Sequence, residues 1–130
     1  VSTVDLEREG NTYTYDTLTV LRHIYSEYRF LWLLGSDAFL QLDHWYRYQE
    51  VIAMTDFVVA IRPPAKKQDL FVFNQQLDPQ AHYYCLSLPA CALSASSIRH
   101  NITQHCFDEK SVPASVRDYI KEHHLYSDII

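Results

Sequence analysis

The spacing of apolar residues changes along the chain, and that spacing separates strand from helix. Val1 to Glu7 alternates loosely and reads as a strand ending at the turn around Gly10. From Asp16, the residues Leu18, Leu21, Tyr25 and Tyr28 recur at three- and four-residue intervals, which predicts an amphipathic helix to about Arg29. Phe30 to Leu34 is a continuous apolar run followed by Gly35-Ser36-Asp37, the pattern of a buried parallel strand ending in a polar loop. Trp45 to Met54 reads as a second helix and Phe57 to Ile61 as a second buried strand, stopped by Pro63-Pro64. Pro63 to Asp69 is polar and reads as a mobile loop. Strand candidates follow at Leu70 to Phe73 and Tyr83 to Leu88, with a turn-rich stretch around Asp78-Pro79 between them. Ser94 to His105 is expected to be helical with Ser94 or Ser96 as its cap, and Pro113 opens a last helix with Val116, Tyr119 and Ile120 on one face.

Short β-rich runs alternating with helical patterns point to an α/β fold with a mainly parallel sheet flanked by helices. No repeat, low-complexity tract or linker interrupts it, so residues 1–130 read as one domain or a large piece of one. In such sheets the carboxyl ends of the strands face the binding crevice. Asp37, just past a strand end, is therefore a candidate ligand residue, and Arg62 sits at the C-terminal edge of the next strand.

Composition narrows the partners. With 16 acidic against 11 basic side chains the formal charge is -5, and the longest basic run is Lys66-Lys67. A nucleic-acid surface is disfavoured, whereas one phosphate needs only a local cation or a helix N-terminus. Cys85, Cys91 and Cys106 form no Cys-x-x-Cys pair, so a reducing, cytoplasmic setting fits better than a disulfide framework or zinc knuckle. The apolar runs are of strand length, too short for a membrane span or signal sequence.

The candidate chemistry lies at helix starts. Only Gly10 and Gly35 are present, so no glycine-rich phosphate loop can be built. Leu93-Ser94-Ala95-Ser96-Ser97-Ile98-Arg99 could gather free N–H groups, hydroxyls and a guanidinium on an anion, although plain capping is the ordinary use of such serines. Thr12-Tyr13-Thr14-Tyr15-Asp16-Thr17-Leu18 offers a similar cluster, again with capping as the alternative. Trp45-Tyr46 could stack a heteroaromatic ring or simply pack in the core. The seven histidines, His23, His44, His82, His100, His105, His123 and His124, show no metal-ligand spacing, and no serine occupies a Gly-x-Ser-x-Gly elbow.

Taken in order, these segments resemble the C-terminal part of bacterial nicotinate-nucleotide adenylyltransferases, Rossmann-like members of the nucleotidyltransferase superfamily. Thr12 to Leu18 is similar to that family's Ser-Tyr-Thr-x-Asp-Thr-Leu, Gly35 to Asp37 to its Gly-x-Asp loop, and Trp45-Tyr46-Arg47-Tyr48 to its Trp-Tyr-Arg-Trp segment. Arg62-Pro63-Pro64 is similar to Arg-Pro-Gly, Leu93 to Arg99 to Ile-Ser-Ser-Thr-x-Ile-Arg, and Val112 to Tyr126 to the closing Val-Pro motif. Departures are Tyr15 for a branched aliphatic, Pro64 for glycine, Ala95 for serine, Ser96 for threonine, and the loss of Tyr-Leu within Cys106 to Ser111.

The resemblance implies adenylyl transfer from ATP to nicotinate mononucleotide with Mg²⁺, giving the dinucleotide and pyrophosphate. Thr12, Tyr13, Thr14, Trp45, Tyr46 and Arg62 are expected to bind the mononucleotide, and Gly35, Asp37, Ser94, Ser96 and Arg99 to bind ATP. The family's Gly-x-Phe-x-Pro-x-His-x-Gly-His segment has no counterpart here, so catalytic residues are expected upstream. The chain, which starts at Val1 rather than Met, reads as a partial domain lacking its first strand and helix and inactive alone. An uncovered sheet edge and apolar face then meet water, which leaves a homo-oligomer open. Alternatives are adenylyl or cytidylyl transfer to another phosphate acceptor, such as phosphopantetheine, a sugar or polyol phosphate or nicotinamide mononucleotide, and a non-catalytic truncated remnant acting as a binding module.

Overall fold

The structure, a computed structural model, describes residues 1–89, 93–104, 106, 108 and 110–126. It divides into two compact units, Val1–Ala90 and Cys91–Ile130. In the first, α1 (Thr14–Ile24), β1 (Leu31–Gly35), α2 (Ser36–Phe39), a 3-10 turn (Leu42–His44), α3 (Tyr48–Met54), β2 (Asp56–Ile61), α4 (Lys67–Leu77) and β3 (Tyr83–Ser87) follow in that order. The strands form one parallel sheet, β1-β2-β3. This is the expected α/β architecture, and every strand directs its carboxyl end to the same edge.

Pairing of Trp32 with Phe57 and of Phe57 with Tyr83 puts these residues on one face, together with Leu34 and Val59. That face is buried under Leu18, Phe39, Leu42, Val51 and Leu70. Each fully buried Leu or Phe side chain contributes about 1.5–3 kcal/mol. Phe39 is the keystone: its ring centre lies 5.9 Å from that of Phe57, 5.8 Å from Phe73 and 5.2 Å from Tyr83. The opposite face carries Leu33, Val58 and Tyr84 in one row, yet Leu33 is 65% and Tyr84 54% exposed. The strand expected to be buried at Phe30 to Leu34 is therefore covered on one face only.

Other expectations are corrected. Val1 to Glu7 is not a strand: the Thr3 carbonyl accepts the N–H groups of Leu6 and Glu7 at 2.8 and 3.3 Å, and the Asp5 carboxylate accepts a hydrogen bond from Thr17 of α1. The first helix starts two residues earlier than expected and stops at Ile24, because the chain turns at Tyr25 and Tyr28, whose rings pack edge-on at 6.0 Å. Trp45 precedes the second helix, which waits until Tyr48 because Arg47 is left-handed at φ 52°. Leu70 to Phe73 is helical, and the loop expected to reach Asp69 gives way to α4 at Lys67. The Asp69 carboxylate accepts the Lys66 N–H at 2.7 Å, capping the helix start. Leu70, Phe73, Asn74 and Leu77 then recur at helical spacing, with Leu70 and Asn74 buried.

The second unit holds α5 (Ala95–Thr103) and α6 (Ala114–Glu122). Ser94 caps α5, its Oγ accepting the Ser97 N–H at 3.1 Å. Pro113 precedes α6, where Val116 and Tyr119 are exposed. Cys91 and His105 lie outside the described residues, as does part of the Cys106 to Ser111 stretch.

Candidate functional site

Three cavities open among the described residues of the first unit, and two of them bear on the expected site. One, of about 220 Å³, is lined by Thr12, Tyr13, Thr14, His44, Trp45 and Tyr46. Two segments some thirty residues apart in sequence thus meet around one space. The floor is the start of α1, where the first intrahelical bond runs from the Thr17 N–H to the Tyr13 carbonyl at 3.1 Å. The N–H groups of the preceding helical residues have no partner in the helix, and Tyr13 supplies no side-chain cap. That leaves oriented donors, at the positive end of the helix dipole, free for an acceptor.

The wall is aromatic. Trp45 packs partly against the core, while Tyr46 is exposed and lies 4.8 Å from Tyr13, ring centre to ring centre. Tyr15 meets Tyr46 edge-on at 5.9 Å, and the Arg47 guanidinium sits 4.1 Å over the Tyr15 ring. Arg47 also donates to Glu50 at 2.9 Å. The Glu50 carboxyl is held below its ordinary pKa by hydrogen bonding to its own backbone and then by Arg47, while Arg47 is raised mainly by the bond to Glu50. Tyr15, a departure from the resembled pattern, thus braces the tyrosine that walls the pocket. His44 also lines this space, with Nδ1 3.2 Å from Asp43. Its place was not anticipated; the only signal was adjacency to Trp45.

The second cavity, of about 660 Å³, lies past the carboxyl ends of β1 and β2 and is lined by Ser36, Asp37, Leu40, Gln41, Arg62, Pro63, Pro64, Ala65 and Asp69. Phe39 anchors the short α2 in the core and so holds Asp37 at the strand mouth. Gly35 supplies clearance: a Cβ there would stand 2.5 Å from Asp37 Oδ1 and 3.7 Å from Arg62 Cδ. Arg62 therefore lines the cavity of Asp37 rather than the one formed by Thr12 to Thr14 with Trp45 and Tyr46.

In the second unit, Arg99 donates to Ser96 Oγ at 3.5 Å on the first turn of α5, and both are exposed. The Ser94 hydroxyl is engaged as the cap. Among the described residues no group of three or more His, Cys, Asp or Glu gathers in a way that could hold a metal ion, and no helix is long and apolar enough to cross a membrane.

No family model matches the chain. It is 30% identical over 128 residues to a probable nicotinate-nucleotide adenylyltransferase of Staphylococcus epidermidis, covering 98% of this chain and 62% of that protein. A namesake from Neisseria meningitidis serogroup C is 32% identical, covering 97% and 64%, and one from Trichormus variabilis 34% identical, covering 98% and 66%. The chain thus spans a little under two thirds of the length of these curated relatives. Among solved structures, nicotinic acid mononucleotide adenylyltransferase of Plasmodium falciparum complexed with APC superposes with a TM-score of 0.71 at 21% identity, over 91% of this chain and 60% of that one. The same enzyme complexed with NaAD gives 0.72, over 91% and 58%. At that identity the likeness establishes the fold.

Proposed function

The chain is a relative of the nicotinate-nucleotide adenylyltransferases along nearly its whole length, and on that premise we propose that it carries the acceptor site and part of the ATP site of an enzyme of NAD biosynthesis. The reaction is transfer of the adenylyl group of ATP to nicotinate mononucleotide. A phosphate oxygen of the mononucleotide attacks the α-phosphorus of ATP, the bond to the β-phosphate oxygen breaks, and pyrophosphate leaves. The observation that supports this most is the meeting of Thr12, Tyr13 and Thr14 with Trp45 and Tyr46 around one pocket.

There the pyridine ring stacks against Trp45 and Tyr46, while the carboxylate accepts from the free N–H groups of α1 and the Thr14 hydroxyl. Donors facing the substituent favour the acid over the amide, whose NH₂ would meet N–H groups head-on. At the strand mouth, Asp37 beside Gly35 accepts from ribose hydroxyls and Arg62, across the same cavity, approaches a nucleotide phosphate. Ser96 and Arg99 take phosphate oxygens of ATP, with Ser94 fixing the helix start that presents them. Mg²⁺, carried largely by phosphate oxygens and water, would neutralise charge on the pyrophosphate. Such a transfer depends on aligning two phosphates and stabilising developing charge more than on a side-chain base.

Calorimetric titration of the chain with nicotinate mononucleotide, nicotinamide mononucleotide and phosphopantetheine tests the reading. The acid mononucleotide is expected to bind tightest, and Tyr46→Ala to weaken it about tenfold through lost stacking. Equal affinity for all three, or indifference to Tyr46, would refute it.

A further inference from the structure

The hydrogen-bonded register between β1 and β2 ends at the pair Gly35 and Ala60. Arg62, one residue beyond β2, would therefore present its main-chain N–H and C=O without a strand partner. A single side chain reaches both, and the Arg62 carbonyl also accepts the Ala65 N–H at 3.1 Å in the following turn. Ser36 Oγ accepts the Arg62 N–H at 3.0 Å and donates to the Arg62 carbonyl at 3.3 Å. Ser36 is only 1% exposed, although Asp37 beside it and the Arg62 side chain are open to solvent.

We propose that Ser36 is a positioning residue, whose hydroxyl stands in for the next rung of the sheet and holds Arg62 so that its side chain and the Asp37 carboxylate border the 660 Å³ cavity from either side of Gly35. No ion pair joins Asp37 to Arg62 among the described residues, so both remain available to a ligand. A cation and a carboxylate at one mouth suit a nucleoside monophosphate, with phosphate on Arg62 and ribose hydroxyls on Asp37. This assignment rests on the nucleotide reading above. Fixing the backbone at Arg62 lowers the ordering cost of bringing a long side chain to the phosphate.

The probes are adenosine monophosphate and adenosine, titrated by calorimetry into the chain and its variants. Ser36→Ala is expected to weaken adenosine monophosphate about fivefold, the worth of one hydrogen-bonded group, and to leave adenosine unchanged. Ser36→Thr, which keeps the hydroxyl, should retain wild-type affinity, and Ser36→Val, of the same shape without it, should repeat the loss if the alanine variant fails to fold. In an Arg62→Ala background, Ser36→Ala should have no further effect. An equal loss for both probes, or a loss that persists without the Arg62 side chain, overturns the positioning role while leaving the nucleotide reading intact. Failure of the wild-type chain to prefer the monophosphate over adenosine overturns both.

Discussion

At Gly35 the backbone is not in a left-handed conformation, so the requirement for glycine comes from the neighbouring carboxylate alone. In Gly35→Ala the new Cβ would press on Asp37 Oδ1, the free end of a mobile side chain, and the fold should survive while the carboxylate swings aside. ATP affinity is expected to fall roughly tenfold with little change in unfolding temperature, as fluorescence titration beside thermal melts will show. Tyr83 makes a separate prediction. Burial, and then the neighbouring Cys85, push its phenol above the ordinary tyrosine range. Because the folded chain holds that proton more tightly than the unfolded chain, the associated stability is complete below the unfolded pKa and is lost as pH rises through the folded one. Melts between pH 8 and 11 should fall less steeply for Tyr83→Phe than for the parent, and identical slopes would dismiss the effect. Single residues also mark the limit of sequence reading. Ser36 shows nothing in its surroundings to advertise its role, because its partner lies 26 positions away.

Among the elements, α2 is one turn long and owes its place to Phe39 rather than to helix propensity. Phe39→Ala empties the space between Phe57, Phe73 and Tyr83 and should cost about 3–5 kcal/mol, read from urea unfolding. Strands β1, β2 and β3 were legible to within one residue at each end, since each is an apolar run bounded by polar residues or turn formers. Helix α4 was not. Its four contiguous apolar residues imitate a strand, and its true period passes through Asn74, a polar residue buried because its side-chain amide donates to the Ala81 carbonyl at 3.3 Å. The delayed start of α3 was equally hidden, since nothing in Arg47 announces a positive φ. For the site, proximity of Thr12 to Thr14 with Trp45 and Tyr46 was foreseeable from motif order, whereas the company of Arg62 with Asp37 depended on strand pairing that local pattern does not encode.

Above the level of single elements, the exposed sheet face among the described residues of the first unit is the dominant physical fact. Leu31, Leu33, Tyr84 and Leu86 are exposed on a parallel sheet, a class usually covered on both sides. In solution the chain should self-associate through this face in a concentration-dependent way, and Leu33→Lys should lower the apparent mass measured by light scattering after gel filtration. An unchanged mass would place association elsewhere. The alternation that exposes this row was written in the sequence as an uninterrupted apolar run, which announces burial on two faces without saying what provides it.

The short stretch between the two cavities has a mechanical consequence. Leu40 and Gln41 border one space, His44 and Trp45 the other, and between them the chain makes a single 3-10 turn pinned by the buried Leu42. That turn behaves as a ruler. One inserted residue would slide one wall past the other by about 2 Å, leaving each compartment whole but detuning any molecule long enough to occupy both.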